Sequence, residues 1–71
     1  MATAIFKLEE KRELSHEEAH KALGGHAHNV LRIDVGAGAT TIYFAADKAD
    51  AAAAPLLKRA TEVKLADVAH G

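Results

Sequence analysis

The sequence has no cysteine and no tryptophan, one proline, one serine, one methionine and three aromatic rings, Phe6, Tyr43 and Phe44. The missing thiols exclude disulfides, thiolate metal centres and cysteine nucleophiles, and they suit a reducing compartment. Ser15 as the only serine leaves no Ser-His-Asp constellation beyond one residue whose hydroxyl has another use, given below. No apolar run approaches the ~18 residues that a membrane span needs. The N-terminal stretch reaches Lys7 too soon for the apolar core of a signal peptide. The expected address is therefore cytoplasmic and soluble, with no membrane partner.

Charge of either sign is also in short supply. Nine Lys and Arg against ten Asp and Glu give a formal net charge of −1, which provides no electrostatic drive toward nucleic acid. Hydrophobic residues reach 49%, but seventeen of them are alanine, so bulky core formers are few. At 71 residues the chain is one domain, 1–71, and a domain this small buries only roughly 60% of its unfolded surface. That leaves little material for an enclosed reactive cavity. The expectation is a protein that is not an enzyme and has no cofactor.

The pattern along the chain predicts an α+β fold. Thr3–Leu8 alternates as a strand with Ala4, Phe6 and Leu8 on one face, and the charged run Glu9–Glu13 leads outward. Ser15 stands three residues before Glu18, a capping box, with Leu14 placed to staple onto Ala19. The helix should run from His16 to Leu23 and stop at Gly24-Gly25. Asn29–Val35 and Thr40–Ala46 then form an antiparallel hairpin with a bulge around the glycine-containing turn 36–38. Leu31, Ile33 and Val35 are expected on its core side. Asp47 or Asp50 can cap a second helix, and Pro55 either kinks it or starts it. Thr61–Ala66 alternates like a short last strand, and a helical continuation fits its spacing nearly as well.

The order β-α-β-β-α-β is that of a ferredoxin-like, split βαβ sheet, antiparallel with its helices on one face. The rival order, β-α-β-β-α, has three strands. In the four-stranded arrangement Phe6, Leu8, Leu31, Ile33, Val35, Ile42 and Phe44 face the helices. Nothing in the sequence is evident to cover the other face, which carries Ile5, Lys7, Val30, Arg32, Asp34, Thr41 and Tyr43, with Lys64 joining them if the last strand forms. An open face is where a partner docks. Tyr43, Arg32, Ile5 and Lys7 are the candidate contacts, since Tyr and Arg serve as interface anchors.

Two other chemistries have residues to carry them. His16-Glu17-Glu18-Ala19-His20 matches H-E-x-x-H on a helix, the pattern of zinc metalloproteases, and His26 falls at the spacing of a third ligand. The likeness stops there: the family's glycine falls on Leu23, and Met1 as the only methionine leaves no Met-turn. Helix capping explains Glu18, and the positive helix terminus explains Glu17. A looser metal-ion site from His16, His20, His26 and His28 is the alternative reading, because four imidazoles fall within thirteen residues. Nucleic acid binding through the open sheet is the third. It has Tyr43 as its one stacking ring, no RNA-recognition signature, and Asp34 beside the cations Lys7 and Arg32. The turn 36–38 joins two strands and leads into no helix, unlike a phosphate loop.

In size, alanine-rich composition and α+β order the chain resembles small phage-encoded inhibitors of bacterial defence, of the anti-CRISPR kind. The resemblance implies a protein-binding module that acts stoichiometrically, masking a surface on a larger host complex. Its partner would be another protein. A homodimer formed through the open sheet would satisfy the same surface argument.

Overall fold

The computed structural model describes residues 3–26 and 29–70. Within them the chain forms β1 (Thr3–Glu10), α1 (His16–Leu23), β2 (Asn29–Gly36), β3 (Ala39–Asp47), α2 (Ala54–Lys58), β4 (Thr61–Val63) and α3 (Leu65–His70). The strands build one open antiparallel sheet in the order β2-β3-β1-β4. The architecture is a small α+β fold with a four-stranded sheet, so the three-stranded rival is set aside.

α1 has the bounds that its local chemistry dictates. The Ser15 hydroxyl accepts from the Glu18 amide at 3.2 Å, and the Glu18 carboxylate accepts from the Ser15 amide at 3.0 Å. Two otherwise unpaired donors of the first turn are thus satisfied reciprocally. The backbone and side-chain hydrogen bonds from Ser15, with a smaller contribution from Arg12, hold the Glu18 carboxyl below its ordinary 4.5. Gly24 ends the helix at φ 63°, a conformation that costs glycine little.

α1 and α2 lie on one face of the sheet. Ala19 and Leu23 of α1 and Leu56 of α2 close over Phe6, Leu8, Ile42, Phe44 and Ala46, with Phe6 and Phe44 stacked at 5.8 Å between centroids. Asp50 caps a single 3₁₀ turn, Ala51–Ala53, through a 2.9 Å bond to the Ala52 amide. Pro55 sits in the first turn of α2, where its missing N–H and fixed φ cost nothing.

The hairpin holds a departure from simple alternation. Val30 pairs with Phe44 and Arg32 with Tyr43, so Leu31 is an extra residue, a β-bulge. The bulge moves Val30 to the core side together with Ile33, and both pack against the core. Leu31 and Val35, expected in the core, are instead 40% and 48% exposed. The bulge accounts for Leu31, the inserted residue, whereas Val35 keeps the side of Ile33, opposite Thr40, and is exposed near the end of the strand. The turn itself is Ala37-Gly38, with φ 55° and 76°, two left-handed residues of the kind that matches the twist of a hairpin.

The last segment combines both readings left open for it. β4 has three residues and pairs only with Ile5–Lys7 of β1, after which the chain turns into α3 rather than continuing as strand to Ala66. The Asp67 carboxylate accepts from the Lys64 amide at 2.9 Å, which is half of a capping box. A helix of six residues is too short to leave a readable period in the sequence.

Candidate functional site

The expectation of an uncovered sheet face is corrected. Tyr43 is only 8% exposed and lies outside the core cluster, on the opposite side of β3 from Ile42 and Phe44. Val68 of α3 is 9% exposed, and its carbonyl accepts from Arg32 Nη1 at 3.0 Å. Arg32 is the cross-strand neighbour of Tyr43. The third helix therefore crosses the face that the sequence left open, and the helices occupy both sides of the sheet.

The four interface candidates do come together. Lys7, Tyr43 and Arg32 form one row across β1, β3 and β2, with half-buried Ile5 one step along β1 on the same face. Their polar groups are already engaged. Arg32 Nε lies 2.8 Å from Asp34 Oδ1, and Lys7 Nζ lies 3.5 Å from Glu9 Oε1. With its ring at the centre of the row buried, and both cations beside carboxylates, this face offers little to a base or a phosphate.

His16 and His20 are exposed on α1, and His26 is exposed beyond Gly24. His28 lies outside the described residues. Among the described residues no group of three or more His, Cys, Asp or Glu side chains is placed to hold a metal ion. Glu17 and Glu18 sit in the first turn of α1, and Glu18 is committed to the cap.

An open depression of about 400 Å³ runs between the end of β1 and α1, lined by Glu10, Arg12, Leu14, Glu18, Lys21 and Ala22. Glu10 is held by Arg59 at 2.9 Å and Glu18 by Arg12 at 3.5 Å. Its acids and bases neutralise one another around a shallow surface, and no buried side-chain polar atom among the described residues is left without a partner. Perturbed groups converging on a closed pocket, the usual sign of catalysis, are not what this depression holds.

One residue that sequence reasoning missed is structural. Thr40 is fully buried, and its hydroxyl accepts from the Leu14 amide and donates to the Arg12 carbonyl, both at 2.8 Å. It ties the β1–α1 connection to β3. In sequence it reads only as a β-former, because its partners lie 26 and 28 positions away.

What remains available is an edge. β2 ends the sheet, and no strand among the described residues pairs with its outer side. It is eight residues long, carries Leu31 and Val35 exposed, and presents the Arg32–Asp34 pair between them. The chain matches no protein-family model, no curated protein and no solved structure.

Proposed function

We propose that this chain is a non-enzymatic protein-binding module and that β2 is its binding element. A long strand with one side of its backbone unpaired is a template for an added strand, main-chain hydrogen bonds giving affinity and neighbouring side chains giving selectivity. The observation that carries the reading is the combination on β2 of an open edge with Leu31 and Val35 exposed. Tyr43, Arg32, Ile5 and Lys7 then support the strand from behind, with Arg32 nearest the edge. Stoichiometric masking of a larger host complex is the use we infer, in keeping with the resemblance to inhibitors of bacterial defence. It requires of the chain only a small body with a strand ready to pair.

We also take the sheet as ferredoxin-like. Counted from its other edge the order is β4-β1-β3-β2, all antiparallel, with α1 joining β1 to β2 and α2 joining β3 to β4. α3 is then an addition that covers the second face.

The test is recovery of a protein partner by the purified chain and its edge variants. Val35→Lys places a charge on the edge without entering the core, and it should abolish recovery while leaving the melting temperature unchanged. Leu65→Lys, on the exposed side of α3 (67% exposed), should leave recovery intact. Recovery that survives the first substitution and is lost with the second moves the binding surface to α3.

A further inference from the structure

We infer that β2 pairs with β2 of a second copy of this chain, antiparallel about a two-fold axis at Ile33, joining two four-stranded sheets into one. The inference rests on the reading of β2 as the binding edge and names a partner for it. In an antiparallel pair the backbone groups of successive residues point alternately to either side, so a strand can pair with its own copy only in registers centred on a residue. The side chains of β2 select among those registers. Centred on Arg32, the pairing sets arginine against arginine, and centred on Asp34 it sets aspartate against aspartate. Like charges directly opposite one another destabilise a sheet.

Centred on Ile33, each Arg32 faces the other copy's Asp34. The two existing Arg32–Asp34 pairs, at 2.8 Å within each protomer, then merge into a four-charge cluster of alternating sign. The same register sets Leu31 against the other copy's Val35. These are two of the three large apolar side chains that the described residues leave exposed, and the third, Leu65, is on α3. Charge thus selects one register, and a two-fold axis makes that selection reciprocal. The bulge displaces Leu31 from the regular ladder, so the continuous pairing is Arg32–Asp34, with Leu31 and Val35 flanking its two ends. A contact confined to one strand falls below the ~1,200 Å² of a standard interface, where association is weak and concentration-dependent.

Sedimentation analysis from roughly 10 µM to 1 mM reads the outcome. The wild-type chain should pass from monomer to dimer across that range. R32D carries carboxylates at positions 32 and 34, and D34R carries guanidinium groups at both, so each should remain monomeric alone. Mixed, the two variants should form a 1:1 dimer, because every opposed pair is again of opposite sign. D34R leaves the Arg32 bond to Val68 in place, and V35K leaves both charges in place. These two therefore carry the test even if R32D loses its fold, and both should be folded monomers. A wild-type chain that stays monomeric to roughly 1 mM, or a D34R variant that dimerises as the wild type does, overturns the inference. The edge itself is judged separately by whether V35K loses recovery of a protein partner. A monomeric wild type with V35K-sensitive recovery removes the second copy and keeps the edge.

Discussion

β4 closes one side of the sheet with three residues, Thr61–Val63, and hands the chain directly to α3, while β2 runs eight residues, Asn29–Gly36, along the other. The β4 side is blunted in several ways. Its strand is short, Lys48 and Glu62 pair across it at 3.2 Å, and Asp67 turns the backbone away into a helix. Short, charged or covered edges are how folded proteins prevent unwanted strand addition. The β2 side has a bulge but otherwise keeps length, exposed apolar side chains and one charge of each sign. The two edges of one small sheet thus differ: one is short and turned away, the other long and, among the described residues, unpaired on its outer side. On the proposed reading, a domain with so few bulky residues would place its function where packing is absent rather than in a cavity that packing encloses.

The largest expected effect lies in what holds both edges to a common body. Thr40→Val removes the bonds to the Leu14 amide and the Arg12 carbonyl and leaves a buried donor unpaired, at a cost of about 1–3 kcal/mol. Chemical denaturation should show it as a lower midpoint with an unchanged slope.

Next comes the blunted side. Val68→Ala removes two buried methyl groups from α3, worth about 1.5 kcal/mol. It should also uncover Tyr43, the only tyrosine in a chain without tryptophan. Acrylamide quenching of its fluorescence should therefore rise well before global unfolding. Quenching that does not change would mean that something other than α3 covers this face.

A smaller gain is expected at the turn that sets β2 against β3. Ala37 sits at φ 55°, where a Cβ is strained by about 1–2 kcal/mol. Ala37→Gly should relieve that strain, less the added flexibility of the unfolded chain, for a net stabilisation of about 0.5–1 kcal/mol. A rise in melting temperature checks it. The Gly38 amide, bonded to the Glu13 carboxylate at 3.1 Å, should keep the turn in register meanwhile.

The smallest effect concerns pH. The Glu18 carboxyl is lowered chiefly by its hydrogen bonds with Ser15, so its folded value lies below its unfolded one. A depressed carboxyl contributes stability that is present above the unfolded value, near 4.5, and is lost as the pH falls through the folded value. Glu18→Gln can keep the capping bond but has no proton to bind in that window. Its acid unfolding curve should therefore be flatter below about pH 4.5 than that of the wild type.

Much of the fold was legible in the sequence because the deciding interactions are local. Ser15, Glu18 and Gly24 set both ends of α1 within ten residues of one another, and the hairpin followed from two β-rich runs around Ala37-Gly38. Features that depend on the third dimension were not legible. The bulge at Leu31 has no sequence signature of its own, yet it exchanged the faces of Val30 and Leu31 and so put one core expectation on the surface. α3 is too short to show a period, which is why Tyr43 looked available when it is buried. The candidate contacts on the sheet face were correctly placed together but read as uncovered. The edge of β2 was visible only once strand order was known.

Amide hydrogen exchange along β2, followed as the protein concentration is raised, reaches the central claim most directly. The account predicts that the outward-facing amides of Arg32–Asp34 become protected with concentration, while those of β4 and α3 keep their rates. Protection that appears on α3 instead, or β2 amides that exchange at one rate throughout, would contradict it.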